Sequence, residues 1–294
     1  MSMEEQLDAL SLIPAQELPL AQLAAVVTRA YADYYYHVAV TGAQLAQICF
    51  EQDVDLSQSV AALHAGEPVG AALLSRRETR GWISAVGVLP GWRRKGIARA
   101  MLHYLQQRVR ELGLRSATLE VLAENRPGLA LYASLGFQRR RDLAILILEP
   151  QTFVPDPLTL TRVAPASPAS LLAHFEAWHP VPPSWQRELR TLRHRLSYLS
   201  GLGYWEDDLL LGYALFQSQS SYQLVHDLAV TPEAARPLEI AGELLRAVHE
   251  QHPASGGYVI NAVMTDPLLP AYLALHYRLI QRQYELIWEP DAGG

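Results

Sequence analysis

The sequence contains very little cysteine and lysine: Cys49 is the only cysteine and Lys95 the only lysine among 294 residues. A single cysteine excludes an intramolecular disulfide and a multi-cysteine zinc site. Long apolar runs are also missing, since no stretch approaches the roughly 20 residues that span a bilayer. The first 20 residues carry acids where a signal peptide carries bases. These absences predict a cytoplasmic protein that binds no metal.

Charge is low and unevenly distributed. Charged residues make up 18% of the chain and hydrophobic residues 50%, with a formal net charge of −6. Residues 1–150 hold 15 basic and 15 acidic residues, whereas residues 151–294 hold 9 and 15. Nucleic-acid-binding proteins carry a basic stripe, and neither half has one. The composition predicts a globular protein with neither a nucleic-acid nor a membrane partner.

A proline-rich segment, EPQTFVPDPLTL, divides the chain into two parts of similar length. Prolines restrict such a segment to extended conformations, as expected of a linker. A chain of this length also favours two domains of roughly 150 residues each. We therefore predict one domain over residues 1–150 and a second over residues 155–294.

Both halves show the same predicted order: three strands, a helix, a strand, a second helix and a closing strand. In the first half this order follows two helices, over 20–36 and 41–52. The strands are apolar on both faces, which suits a sheet covered by helices on both sides. The sequence thus predicts an internal repeat of about 143 residues. The predicted fold class is α/β, with a mixed, mostly antiparallel central sheet in each of two tandem domains.

The most informative segment is AVGVLPGWRRKGIARAML, where a predicted strand ends at Val88 and a helix begins near Gly96. Free N–H groups at a helix N-terminus, with the positive end of the helix dipole, form an anion site. Glycine lets the backbone approach a ligand closely. Cationic side chains crowd this helix start although they oppose its dipole: Arg93, Arg94, Lys95 and Arg99. A bound anion explains that arrangement better than an exposed basic turn does.

A second motif, LEVLAENRPGLALYASLGF, places Glu120 in a strand, Asn125 in the next loop and Tyr132 on a short helix. Both motifs resemble those of the GNAT superfamily (GCN5-related N-acetyltransferases). The first is similar to Q/R-x-x-G-x-G/A preceded by V-x-P, and the second to L-E-V-x-x-x-N-x-x-A-x-x-L-Y-x-x-x-G-F. The one clear departure from the pattern is at Leu129 and Ala130, where the small residue is shifted by one place. The resemblance covers about residues 20–148.

This resemblance implies a tandem GNAT protein whose first domain uses acetyl-CoA as co-substrate. It implies transfer of the acetyl group to a primary amine by direct attack, with the pyrophosphate on the amides from Arg93 to Arg99. The Val88 N–H would polarise the thioester carbonyl, and Asn125 would contact the pantetheine arm or cap the next helix. The implied cofactor-binding residues are Val86, Val88, Arg93, Arg94, Lys95, Gly96, Ile97, Ala98, Arg99, Asn125 and Tyr132.

Two residues are candidates for proton transfer. Tyr132 is the candidate general acid, because a phenol with a reference pKa of about 10 can protonate a thiolate whose conjugate acid lies near 8.5. Its alternative role is that of a core tyrosine. Glu120 is the candidate base, directly or through water, because strand alternation points it away from the face of Leu119 and Val121. An exposed strand glutamate, with ordered water as the base, is the alternative.

The acceptor is a small-molecule amine or a peptide amine, and the sequence does not identify it. A dense aromatic run lines an acceptor pocket or packs on the sheet: Tyr31, Tyr34, Tyr35, Tyr36 and His37. The loop HPVPPSW is a further candidate for the acceptor side. His226 and Asp227 are not a catalytic pair, because adjacent strand residues point to opposite faces. Another acyl group, a non-amine acceptor and a CoA sensor without turnover stay open, and a homodimer is compatible with the sequence.

The second domain is predicted to be degenerate. A repeat register of 143 residues aligns RRKGIA at 93–98 with RPLEIA at 236–241. Pro237 then lacks an N–H, and Glu239 replaces the glycine with a negative charge. The same register places Leu268, Leu275 and Leu279 at the positions of Asn125, Tyr132 and Gly136. It predicts that one acetyl-CoA binds per chain.

Overall fold

The computed structural model describes residues 10–33, 39–150 and 162–290. The chain forms two compact units: the first combines Met1–Arg140 with Glu285–Gly294, and the second is Arg141–Tyr284. The units therefore do not coincide with the predicted segments 1–150 and 155–294. The difference arises at the last strand of each half. Most of the last strand of the first half belongs to the second unit, and the end of the last strand of the second half belongs to the first unit.

The first unit contains a sheet in the order β1-β2-β3-β4-β5, antiparallel except for the parallel pair β4 and β5. Its elements match the predicted order closely, and β1 was not predicted. The predicted helix over 20–36 ends at Ala30, and Tyr34–His37 lie outside the described residues. The elements are β1 (Leu10–Pro14), α1 (Leu20–Ala30), α2 (Gly42–Gln52), β2 (Val60–His64), β3 (Glu67–Arg77), β4 (Arg80–Val88), α3 (Ile97–Glu111), β5 (Ser116–Leu122) and α4 (Arg126–Ser134).

The second unit repeats this arrangement with the order β6-β11-β10-β9-β8-β7, in which β10 and β11 are parallel. The predicted tandem fold with mixed, mostly antiparallel sheets is confirmed. The elements are β6 (Gln138–Leu148), β7 (Val163–Pro165), α5 (Pro168–Leu171), α6 (Phe175–Trp178), α7 (Leu189–His194), β8 (Ser200–Glu206), β9 (Leu209–Ser218), β10 (Tyr222–Val230), α8 (Pro237–Glu250), β11 (Gly256–Val263), α9 (Leu269–Ala274) and β12 (Arg278–Trp288).

The closing strands explain the division into units. In the second unit β6 pairs antiparallel with β11, with Leu148 opposite Gly257. In the first unit the end of β12 supplies Trp288, whose ring lies 6.3 Å from the ring of Phe137. The Arg110 guanidinium stacks 4.9 Å above the same indole. Each half of the chain therefore needs the last strand of the other half to complete a core.

Helix α3 shows how the sequence pattern produces the packing near the cleft. Its apolar residues recur at helical spacing, and Met101, Leu102, Leu105 and Val109 are all fully buried, as predicted. The chain leaves this helix at Gly113, whose φ of 64° is the left-handed conformation that glycine accepts without strain. Among the residues that the structure describes, no helix is long and apolar enough to cross a membrane.

Candidate active site

The candidate site lies where β4 and β5 separate. The parallel ladder joins Arg80–Trp82 to Ser116–Thr118, and the next residues of both strands line a cavity of about 410 Å³. A register shift in the β3–β4 ladder leaves Ser84 as an extra residue, a β-bulge that bends β4 at this point. The cavity brings together seven predicted residues: Val86, Val88, Arg93, Arg94, Glu120, Asn125 and Tyr132.

The end of β4 turns main-chain groups toward this cavity. The Leu89 N–H donates to the Val69 carbonyl at 2.9 Å. Leu89 and Val69 are therefore one of the hydrogen-bonded residue pairs of the antiparallel β3–β4 ladder. Hydrogen-bonded and non-bonded pairs alternate along such a ladder. The N–H and C=O groups of Val88 and Val86 therefore face away from β3 and into the cleft. The Arg93 Nε donates to the Val88 carbonyl at 3.2 Å, which agrees with that direction.

The predicted anion-binding turn has the required backbone conformation. Arg94 and Gly96 both have positive φ, 66° and 79°, on either side of Lys95. Gly96 caps the N-terminus of α3, and its φ is the reason for glycine, because a Cβ there would meet nothing within 4 Å. Successive amides in such a turn, together with a helix N-terminus, form an anion-binding concavity. Ile97, Ala98 and Arg99 continue into the first turn of α3.

The cationic side chains of this turn have different partners. The Arg93 guanidinium binds Asp33 through both terminal nitrogens, at 2.7 and 2.6 Å, so only its main chain belongs to the turn. The ion pair with Asp33 raises the pKa of Arg93 and lowers that of Asp33. Lys95 lies over the Trp92 ring, with its Nζ 4.4 Å from the centroid. Arg99 donates to the Ser134 hydroxyl at 2.7 Å.

Glu120 is held from one side of the cleft by an indole. The Trp82 Nε1 donates to the Glu120 Oε2 at 2.7 Å, across the start of the strand separation. A donor at this distance fixes the carboxylate orientation at the cavity wall. Sequence reasoning did not single out Trp82, although its position just before the end of the parallel pairing places it beside Glu120.

Tyr132 and Asn125 line the same cavity. Tyr132 lies in α4 with 8% of its surface exposed, and its ring packs edge-on against Phe137 at 5.9 Å. The Asn125 side chain accepts a hydrogen bond from the Gly128 N–H at 3.0 Å, which caps α4. Asn125 therefore has the predicted capping contact and also borders the cavity.

The second unit has the same strand geometry. Its parallel ladder joins Tyr222–Leu224 to Gly256–Tyr258, and its bulge leaves His226 as the extra residue. The Thr231 N–H donates to the Leu211 carbonyl at 2.8 Å, as Leu89 does to Val69. His226 and Asp227 do not bond each other in the described contacts. His226 Nδ1 faces Arg195 and Asp227 faces His179, in agreement with the prediction.

The chain itself fills this second cleft. The His179 Nε2 lies 3.0 Å from the Asp227 carboxylate, and the Ser184 hydroxyl donates to the Asn261 carbonyl at 2.9 Å. The Arg187 Nη1 donates to the Val225 carbonyl at 3.2 Å. The loop HPVPPSW and the residues after it thus occupy the strand separation of their own unit. A smaller cavity of about 200 Å³ is left at its mouth, beside Val230.

The structure contradicts the predicted repeat register of 143 residues. The Phe137 N–H donates to the Tyr132 carbonyl at 3.1 Å, and the Tyr277 N–H donates to the Tyr272 carbonyl at the same distance. Tyr272, not Leu275, is therefore the counterpart of Tyr132. Equivalent residues of the two halves are 142 positions apart in β4 and β10, and 140 positions apart at Tyr132 and Tyr272. The number changes because the turn before α8 has six residues, whereas the turn before α3 has eight. The prediction that the second unit lacks the counterpart of Tyr132 was wrong. The shorter turn before α8 does lack a glycine.

Comparisons with known proteins agree with this architecture. Residues 25–137 match the model of the acetyltransferase (GNAT) family. A tandem GNAT protein from the clavulanic acid biosynthesis pathway is 16% identical, with a TM-score of 0.71 over 97% of this chain and 100% of that chain. A GCN5-related N-acetyltransferase from Sphaerobacter thermophilus is 15% identical, with a TM-score of 0.73 over 96% of both chains. No curated protein sequence matches this chain.

The first half of the chain thus contains a GNAT domain, and the whole chain has the tandem GNAT fold. Acetyl-CoA or CoA is the co-substrate of this family, which places the protein among acyltransferases in general. Within the described ranges, no group of three or more His, Cys, Asp or Glu residues is arranged to hold a metal ion.

Proposed function

We propose that this protein is an N-acetyltransferase that moves the acetyl group of acetyl-CoA to a primary amine in the first unit. The observation that carries the proposal is one cavity lined by Glu120, Tyr132 and the cleft-facing edge of β4. A base, an acid and a main-chain donor are the groups that acyl transfer between an amine and a thiol requires. The basic turn from Arg94 to Gly96 adjoins this cavity and would hold the pyrophosphate.

The reaction proceeds by direct attack. The amine nitrogen adds to the thioester carbon while Glu120 takes its proton, directly or through water. The Val88 N–H stabilises the oxyanion, since its direction into the cleft follows from the ladder alternation. The carbon–sulfur bond then breaks, and Tyr132 gives its proton to the departing thiolate. An amide and free CoA leave, and proton exchange with solvent restores Glu120 and Tyr132.

The acceptor amine enters beside acidic and aromatic side chains. Asp33 and Tyr31 line the same cavity as Glu120, and Arg93 neutralises Asp33 through its ion pair. The Glu120 carboxylate attracts a cationic ammonium, which releases one proton to solvent before the neutral amine attacks. This supports an amine over an alcohol or a thiol as the acceptor class.

The test measures free CoA thiol after acetyl-CoA is mixed with a panel of small amines and peptides with free N-termini. We expect release that depends on at least one amine, and a loss of about 10²- to 10⁴-fold in Glu120→Gln. Acetyl-CoA binding without thiol release from any amine, alcohol or thiol would instead support a sensor without turnover. Release in Glu120→Gln at the wild-type rate would assign the base role to ordered water.

A further inference from the structure

The cleft-facing edge of β4 already has partners from the protein. The Tyr31 hydroxyl accepts from the Val86 N–H at 3.3 Å and donates to the Val86 carbonyl at 3.2 Å. The Arg93 Nε donates to the next outward carbonyl, that of Val88, at 3.2 Å. Two side chains thus satisfy the strand edge in the way a neighbouring strand would.

Both side chains connect this edge to the end of α1. Tyr31 directly follows α1, and the Arg93 guanidinium also donates to the Ala30 carbonyl at 3.0 Å. Arg93 also forms the two-pronged ion pair with Asp33. We call Tyr31, Arg93 and Asp33 the α1 clamp.

The sequence of β4 makes room for the α1 clamp. A Cβ on Gly87 would lie 2.8 Å from the Ala30 Cβ and 3.2 Å from the Tyr31 ring. A contact as short as the one with Ala30 does not occur without movement of one partner, so glycine at this position allows the end of α1 to dock. Burial raises the pKa of Tyr31, so its hydroxyl keeps the proton that it donates to Val86.

The acyl-pantetheine arm of acetyl-CoA is chemically suited to the same edge. The arm is extended and carries two amides and a thioester carbonyl, and extended amide chains pair with exposed strand edges. An arm that starts at the turn from Arg94 to Gly96 and brings its thioester carbonyl to the Val88 N–H places its acyl end beside Val86. Its amides then need the Val88 carbonyl that Arg93 holds, and its acyl end needs the space beside Val86 that the Tyr31 hydroxyl occupies.

We propose that the α1 clamp is an autoinhibitory contact, in which the Tyr31 hydroxyl occupies the Val86 main-chain groups until an acyl-pantetheine arm displaces it. This inference rests on the proposed function of the first unit. The apparent affinity for acetyl-CoA is then reduced by the fraction of molecules in which the clamp is closed. Weakening the clamp strengthens binding, which is the opposite of what most changes in a binding site do.

The test compares three ligands by calorimetry on the full chain: acetyl-CoA, S-acetylpantetheine and 3′,5′-ADP. Tyr31→Phe keeps the ring beside Gly87 and removes only the hydroxyl. We expect it to bind acetyl-CoA and S-acetylpantetheine about three- to tenfold more tightly, the size of one or two lost competing hydrogen bonds. Binding of 3′,5′-ADP, which has no arm, stays the same. Tyr104→Phe, on α3, is the matched control and changes none of the three.

Unchanged or weaker binding of S-acetylpantetheine to Tyr31→Phe overturns the inference, because the hydroxyl then does not compete with the arm. If Tyr31→Phe does not melt cooperatively, Asp33→Asn tests the clamp through Arg93, with an expected gain of about twofold for S-acetylpantetheine. No gain there would overturn the inference equally. Failure of acetyl-CoA and 3′,5′-ADP to bind the wild-type chain would remove the proposed function as well as the inference.

Discussion

The two units share a separated strand pair with a bulge, but only the first leaves the separation open. In the first, the edge of β4 borders a cavity of about 410 Å³. In the second, the segment between α6 and α7 bonds to both separated strands. His179 and Arg187 contact Asp227 and Val225 of β10, and Ser184 contacts Asn261 of β11. A strand separation exposes main-chain donors and acceptors that need partners. The second unit supplies these partners from its own chain.

The side chains around the two clefts also differ between the units. Leu224 and Ile260 stand where the first unit has the hydrogen-bonded pair of Trp82 and Glu120. The second unit retains a tyrosine, Tyr272, which is 4% exposed, and burial raises its pKa. We propose that this tyrosine is not a general acid, because a general acid needs access to the leaving group and the chain fills the cleft of the second unit. On this proposal, the second unit lost a site because its own chain filled the cleft, while the tyrosine stayed.

The largest expected effect separates the two tyrosines. Tyr132→Phe should lower kcat by about 10²- to 10⁴-fold, because the thiolate loses its proton donor. Acetyl-CoA affinity should hardly change, since the ring remains. Tyr272→Phe, the matched variant in the second unit, should keep the wild-type kcat. Steady-state kinetics and calorimetry measure both quantities, and a comparable loss in the two variants would contradict the proposed difference between units.

A second variant tests the number of cofactor sites. Gly96→Glu should weaken acetyl-CoA binding at least about 100-fold, because a carboxylate at the amide turn repels the pyrophosphate and a side chain at φ 79° is strained. Titration of the wild-type chain should saturate near one equivalent. The variant should bind none.

The control for this variant is Gly66→Glu, which has the same charge change at a φ of 84° with no atom within 4 Å of its Cβ. It lies in the turn between β2 and β3 and should bind one equivalent with wild-type affinity. One equivalent bound by Gly96→Glu would place the nucleotide in the second unit. The full chain is required for these titrations, because residues 155–294 alone would lack β6, which pairs with β11.

The smallest expected effect concerns the stability of the filled cleft. Both ring nitrogens of His179 face acceptors, the Phe175 carbonyl at 2.8 Å and the Asp227 carboxylate at 3.0 Å. Burial disfavours the imidazolium, but Asp227 and the Phe175 carbonyl outweigh it and raise the pKa of His179 above 6.5. Burial also disfavours the carboxylate, but His179, Arg187 and Tyr213 hold the pKa of Asp227 below 3.8.

These shifts determine a pH window. The raised pKa of His179 stabilises the fold below about pH 6.5 and loses this effect as pH rises through the folded value. The lowered pKa of Asp227 stabilises it above about pH 4. Between about pH 4 and about pH 6.5, Asp227→Asn should therefore lower the free energy of unfolding by about 3 kcal/mol. The loss should be smaller at higher pH. Denaturant unfolding from pH 5 to 10 measures this, and a cost that grows with pH would contradict the ion pair.

Asp142→Asn is the control for that experiment. Asp142 faces Arg282 of the same unit at 3.8 Å, and the Arg282 side chain is 44% exposed. A pair with this exposure contributes little, so the variant should change stability by less than about 1 kcal/mol at every pH.

Much of this protein could be predicted from its residues in order. The elements from β2 to α4 and from β8 to α8 were predicted to within a few residues, because their apolar periods and glycine or proline boundaries are local signals. Local spacing also singled out Arg94, Glu120, Asn125 and Tyr132, which line one cavity in the structure, and their roles stay predictions. The helix over 20–36 was predicted too long. Bonds between Tyr31 and Val86 and between Asp33 and Arg93 hold the chain after Ala30, and no local signal reports such contacts.

The sequence by itself determined the two halves, the order of their elements and the chemical groups of the first cleft, because each depends on neighbours along the chain. Only the tertiary structure decided which strand completes which unit, and which cleft stays open. Exchange of β6 and the end of β12 depends on pairing between distant segments. Filling of the second cleft depends on His179 meeting Asp227 48 residues further along the chain. Contacts of that separation are set by the energy of the whole core, which no local pattern contains.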